Sequence, residues 1–142
     1  MTDTHKYSVS VAGIVVTDRD RVLVIRRGDN GHWEPPGGVL EHDETFEEGI
    51  MREVQEETRM LVHVGNLTGV YKNMAQDIAA LTFRSLPISA DVKGADEAAD
   101  VRWMTLPEIE SVMAPVRAVR VTDSIRSHDR FNHSICLLHS RL

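Results

Sequence analysis

Three carboxylates on one short stretch could do chemistry together: Glu53, Glu56 and Glu57, within Met51-Arg52-Glu53-Val54-Gln55-Glu56-Glu57. In a helix, positions i, i+3 and i+4 share a face. With Glu53 as the reference, Glu57 falls about 40° to one side on the helical wheel and Glu56 about 60° to the other. Phe46, Ile50 and Val54 form the apolar stripe expected to pack on a core, and they lie on the side of Glu53 and Glu57. Carboxylates so placed repel one another, and burying an unpaired charge costs more still. A divalent cation removes both costs. The donors are all oxygens, with no His or Cys among them, which suits magnesium, or manganese in its place. The plain alternative is a solvated acidic helix face. The glutamates alone leave both readings open.

The element that must position them is a helix from Phe46 to Glu57. Thr45 followed by Glu48 fits a capping box, with Asp43 as a competing cap. The stretch holds no proline, and Gly49 is its one weak position. Just upstream, Trp33-Glu34-Pro35-Pro36-Gly37-Gly38 joins two stiffening prolines to two glycines. The glycines permit a sharp turn into the helix and close approach to a ligand, so Gly37 and Gly38 are substrate-binding candidates. Trp33 is read equally as a packed residue or as a platform for a nucleobase. Arg26 and Arg27 alternate across the end of a strand. One of them should face the helix side and could hold a phosphate, the plain alternative being a surface strand end.

The stretch from Gly38 to Met60 resembles the Nudix box, G-x5-E-x7-R-E-U-x-E-E-x-G-U, where U is a bulky apolar residue. Gly38, Glu44, Arg52, Glu53, Val54, Glu56, Glu57 and Met60 match in register, and Arg59 stands where the family has glycine. The resemblance implies an α/β fold, an α-β-α sandwich with a mixed sheet between helices. It implies that Arg52 and Glu44 position the catalytic glutamates. It also implies that a glutamate ahead of an Arg-Trp strand reaches the site from a loop. In Glu97-Ala98-Ala99-Asp100-Val101-Arg102-Trp103 that residue is Glu97, as general base or further ligand, with Asp96 as its competitor.

Around the box, the expected elements are strands at Val9 to Val16 and Arg21 to Arg27, paired as a hairpin. Val22-Leu23-Val24-Ile25 reads as a strand buried on both faces. Further strands are expected at Val62 to Tyr71, Ile78 to Leu86 and Val101 to Met104, with an acidic connection from Ala90 to Asp100. Helices are expected at Leu106 to Met113 and from Pro115 to about Ile125, and a last strand at Ser134 to Leu138. Ser127-His128-Asp129 has the residue types of a triad, but adjacent residues cannot build its hydrogen-bond chain. His128, His133 and His139 match no zinc spacing.

The 142 residues suit a single domain, 1–142, with 42% hydrophobic and 27% charged residues. A net charge of -6 without a Lys/Arg run argues against polymeric nucleic acid. Cys136 is the only cysteine, so no intrachain disulfide forms and a cytoplasmic setting is expected. No apolar run is long enough for a membrane span. The expected partner is a nucleotide-type small molecule, and a homodimer is the assembly allowed for.

The resulting expectation is a metal-dependent hydrolase cleaving the diphosphate linkage of a nucleoside diphosphate joined to another group, by water attack on phosphorus. The enzymatic alternative is a nucleoside triphosphate pyrophosphohydrolase that sanitises the nucleotide pool. Some ADP-ribose-cleaving members of the resembled family carry a proline past the box, where this chain has Met74-Ala75-Gln76-Asp77. A non-catalytic nucleotide sensor is the alternative from another class, and the intact set of box glutamates argues against it.

Overall fold

A computed structural model describes residues 6–88, 98–129 and 138–141. Strand β1 (Ser8–Val15) leads to β2 (Val22–Arg27), then to two short strands, β3 (Trp33–Glu34) and β4 (Gly37–Val39). Helix α1 (Phe46–Thr58) follows, then β5 (Val62–Asn73), β6 (Ile78–Pro87) and β7 (Ala98–Met104). The chain continues through α2 (Leu106–Val112), α3 (Pro115–Asp129) and β8 (Leu138–Arg141). These strands form two sheets, β4-β1-β6-β5-β8 and β3-β2-β7. The first is mixed: β1 runs parallel to β6 and antiparallel to β4. The expected α-β-α sandwich is observed.

The β1–β2 hairpin is not. These strands belong to different sheets and share only an isolated bridge between Val16 and Val22. Hydrophobicity explains why. All of Val22, Leu23, Val24 and Ile25 are buried, so β2 needs cover on both faces rather than a single partner. Val22 and Val24 enter a core with Ile14, Met104, Ile109, Met113 and Val121, beneath α2 and α3. Leu23 enters the opposite core with Val11, Val15, Ile50, Val54 and Met60, beneath α1. The Pro35-Pro36 step then carries the chain from β3, which pairs with β2, to β4, which pairs with β1. This crossing between sheets was invisible in the sequence, where the segment reads as a loop.

Helix α1 begins as its sequence dictates. The Thr45 hydroxyl accepts from the Glu48 N–H at 3.1 Å, and the Glu48 carboxylate accepts from the Thr45 N–H at 2.9 Å. Ile50 and Val54 are fully buried, whereas Phe46 is 44% exposed and tilts against Phe83 at 6.1 Å. Being in the first turn, Phe46 reaches the core's edge rather than its interior. At Gly49 an added Cβ would lie 2.6 Å from Leu40 Cδ1, so a larger residue there would push the Leu40 side chain aside.

The helix ends on Arg59, whose φ of 61° and ψ of 18° are left-handed, with its N–H donating to the Gln55 carbonyl at 2.8 Å. A side chain makes that conformation costly, and glycine adopts it freely. Arg59→Gly is therefore expected to stabilise the protein by about 0.5–1 kcal/mol. A thermal melt showing destabilisation of that variant would contradict the left-handed closure. Helix α3 continues one turn past the expected Ile125. Strand β7 starts at Ala98, earlier than expected, and β8 covers Leu138–Arg141, while most of the strand expected at Ser134 to Leu138 lies outside the described residues. Glu97, Asp96 and His133 lie outside the described residues. Among the described residues no helix is long and apolar enough to cross a membrane.

Candidate functional site

The site is built where α1 lies against β4. The Gly37 N–H donates to Glu57 Oε1 at 2.8 Å. At Gly38 an added Cβ would stand 2.0 Å from Glu53 Oε2, and at Gly37 it would stand 2.3 Å from the Val11 carbonyl oxygen. Gly38 thus lets the strand edge press on Glu53, while Gly37 lets β4 close on β1 with its N–H on Glu57. Any side chain at 38 would displace Glu53.

Arg52 gathers the acidic residues. Its Nε and Nη2 form a fork on the Glu44 carboxylate, with Nη2 donating to Oε1 at 2.9 Å. Its Nη1 lies 3.2 Å from Glu56 Oε1 and 3.4 Å from Glu53 Oε2. Glu44 also accepts from the Glu41 N–H at 2.9 Å. The charge-assisted fork, with that backbone donor, holds the Glu44 carboxyl at about 2, well below its ordinary range. The Arg52 guanidinium is held charged by the same contacts.

Glu53 and Glu57 behave oppositely. Burial raises the Glu53 carboxyl, with Arg52 pulling against it. Burial pushes Glu57 up to about 8; the Gly37 N–H opposes this, while Glu53 and Glu34 add repulsion. Two neighbouring half-buried carboxylates thus repel one another, with burial outweighing the pull of Arg52 on Glu53 and of Arg27 on Glu57. Glu56 remains 55% exposed on its side chain and leans to Arg52. Among the described residues no three or more His, Cys, Asp or Glu side chains are gathered for a metal ion as they stand. The donor set nevertheless fits a hard divalent cation: buried, mutually repelling oxygens on one rigid helix beside a bare backbone edge. Glu53, Glu57 and a rotated Glu56 are the residues that would hold it.

That electrostatic arrangement predicts a pH signature. Glu57 binds its proton more tightly in the folded protein than its ordinary value of 4.5 allows. Its contribution to stability is therefore full below about 4.5 and is lost as pH rises toward 8. The full shift would correspond to about 5 kcal/mol, which solvent near a partly exposed carboxylate reduces to about 1–3 kcal/mol. Glu44 titrates below this window, so it does not mask the effect. In chelator, Tm should fall between pH 5 and pH 8. Magnesium should restore it strongly at pH 8 and little at pH 5. Equal magnesium stabilisation at both pH values would contradict the placement of the ion at Glu57.

Of the two strand arginines, Arg27 is the one on the α1 side, sharing the face of Leu23 and Ile25. It donates from Nη1 to Glu34 Oε1 at 3.2 Å and pairs with Asp29 at 3.0 Å. Arg26 points to the other face. There its guanidinium lies 5.5 Å from the Trp33 ring, and that of Arg102 lies 5.4 Å from the same ring. Trp33 packs on the core beneath α2 and α3, so Arg26 and Trp33 stand on the far face of β2 from Arg27.

Glu34 was missed. It is 8% exposed and bridges Arg27 to Arg117, whose Nη1 lies 2.9 Å from Glu34 Oε2. A lone glutamate between tryptophan and two prolines carries no periodic signal, and its partner on α3 lies more than half the chain away.

The profile of the NUDIX domain matches residues 6–124. A MutT-like protein of Streptomyces ambofaciens is 50% identical over 135 residues, covering 90% of this chain and 88% of that protein. An ADP-ribose pyrophosphatase of Methanocaldococcus jannaschii is 33% identical over 106 residues, 70% of this chain and 62% of that protein. A putative 8-oxo-dGTP diphosphatase of Bacillus subtilis is 28% identical over 118 residues, 82% and 79% respectively. In fold, the crystal structure of a NUDIX hydrolase from Nitrosomonas europaea superposes with a TM-score of 0.83 at 22% identity, covering 98% of this chain and 82% of that one.

Proposed function

The chain belongs to the Nudix hydrolase family, and from that premise we propose that it cleaves the diphosphate linkage of a nucleoside diphosphate joined to another group. Membership makes it a Nudix-type pyrophosphohydrolase acting on a nucleotide; the substrate within that class is the proposal. The observation that carries it is the seating of Glu53 and Glu57 on the Gly37–Gly38 edge, with Arg52 anchored by Glu44 beside them.

The family's divalent ion, magnesium or manganese, would neutralise charge developing on phosphate oxygens and make bound water more acidic. Arg52 fixes the direction of Glu53 and Glu56. Gly37 and Gly38 leave room for phosphates to approach the backbone. Arg27 adds positive charge on the α1 side. A carboxylate, Glu53 Oε2 or one from Glu97, takes the proton of the attacking water. Trp33, with Arg26 and Arg102 against its ring, lies on the other face of β2 and would contact only a nucleoside that reaches round the strand. In that case nucleotide binding changes intrinsic fluorescence in the wild type and not in Trp33→Phe; the same response in both would remove Trp33 from the site.

The nucleoside triphosphate reading is favoured by the likeness to a putative 8-oxo-dGTP diphosphatase. A panel of nucleoside diphosphate sugars, dinucleoside polyphosphates and triphosphates, with and without magnesium, separates the readings. Nucleoside monophosphate with a phosphorylated second product supports the first reading, and pyrophosphate from triphosphates alone supports the second. Tight binding without any product would leave a non-catalytic sensor.

A further inference from the structure

Helix α3 holds a cation that the proposed chemistry does not use. Arg120 lies on α3 one turn after Arg117, so the two share a face. Its guanidinium lies 5.0 Å over the ring of Tyr71, a fully buried residue of β5. Its Nε is buried without a hydrogen-bond partner among the described residues. Among the described residues no carboxylate forms an ion pair with it. Burial pulls its pKa down, with Arg117 adding repulsion, while Tyr71 and Glu34 oppose both.

Its surroundings are ordered at some cost. The Tyr71 hydroxyl donates to Asp123 Oδ2 at 2.8 Å, which fixes the ring beneath the guanidinium. Arg117 is fixed by Glu34, and Glu34 is held by Arg27. The row Arg27, Glu34, Arg117, Arg120, with Asp29 on Arg27, therefore carries three guanidinium groups and two carboxylates. It starts beside Glu57, whose carboxyl feels the charges of both Glu34 and Arg27, and ends on α3. Cation–π contact with Tyr71 recovers only part of what it costs to keep Arg120 in place. A side chain already immobilised, with donors left over, is preorganised for an anionic ligand.

We propose that Arg120, with Arg117, forms a subsite on α3 for a phosphate oxyanion of the substrate, at the end of the row that runs from Arg27 through Glu34. A planar guanidinium offers paired donors that match two phosphate oxygens. The oxyanion comes either from the scissile diphosphate itself, as the phosphate turned away from α1, or from a phosphate monoester elsewhere on the substrate. The subsite rests on the nucleotide-hydrolase reading for its ligand, but not for its test.

The test uses the full chain in chelator, where no hydrolysis occurs. Methylenediphosphonate stands in for the scissile diphosphate and adenosine 2′-monophosphate for a distal monoester. Binding is followed by calorimetry and by the Arg120 Nε–Hε resonance. The wild type should bind at least one probe saturably with movement of that resonance. Arg120→Met, which keeps an apolar stem on the Tyr71 ring, should weaken that probe by at least about tenfold, with Arg120→Lys retaining part of the affinity. The probe that loses more identifies the source of the oxyanion. Affinities in Arg120→Met within about twofold of wild type for both probes would overturn the subsite, as would a resonance that neither probe moves. Should Arg120→Met fail to fold, the wild-type resonance and Arg120→Lys decide. Absence of turnover in the nucleotide panel would overturn the proposed reaction and leave this binding result readable.

Discussion

Glu57→Gln is expected to lower kcat by at least about 10²-fold, and Glu56→Gln by a similar factor, because each removes charge from the ion that stabilises the transition state. The Glu57 substitution is nearly isosteric. Its amide oxygen can still accept the Gly37 N–H that now reaches Glu57 Oε1. The loss should therefore be chemical rather than structural. An independent readout separates the two. Glu57 is a partly buried carboxylate held up to about 8, so replacing it with a neutral group should raise Tm in chelator at pH 8. The same variant should lose most of the magnesium-induced stabilisation. A protein more stable without metal, yet nearly inactive with it, reflects a site whose strain serves function. Full activity of both variants in metal-free buffer would sink the metal-dependent mechanism.

The parts of this architecture that were legible in the sequence are those fixed by local chemistry. The Thr45–Glu48 cap and the stripe of Ile50 and Val54 depend on residues within a few positions of one another, and they appear as read. At Arg59 the sequence shows only an arginine where the resembled family has glycine; the left-handed closure is visible in the backbone alone. The buried run of β2 announced cover on both faces but not its source. A β1–β2 hairpin satisfies the same pattern locally, and it lost to a strand with cores above and below. The crossing from β3 to β4 is set by pairing to two different strands, neither adjacent in the chain. Glu34, Arg117 and Arg120 were illegible for the same reason, since their meaning lies in contacts between β3, β5 and α3. Of the named site residues, Glu53, Glu57, Gly37 and Gly38 converge, Arg52 and Glu44 stand beside them, and Arg26 and Trp33 lie on another face.

Arg52→Met should lower both Tm and kcat, and the two losses have one cause. The arginine is shared among Glu44, Glu53 and Glu56, with Glu44 taking the two-pronged contact. Removing it leaves three carboxylates facing one another without a cation, which costs far more than losing one surface ion pair. A drop in Tm of about 5–10 °C at pH 7 is expected. Activity should fall by about 10- to 10²-fold, because Glu53 and Glu56 lose the group that aims them. The pH dependence identifies the partner. In the wild type Glu44 is held at about 2, below its ordinary 4.5. The stability this contributes is fully present above about 4.5 and is lost as pH falls toward 2. The gap in Tm between wild type and Arg52→Met should therefore be widest near neutrality and close as pH falls through that window. Glu44→Gln should reproduce much of the defect, and the double variant should be little worse than either single one, since both break the same contact. Strictly additive losses, or a gap that persists unchanged to pH 3, would show that Arg52 acts through some other partner than Glu44.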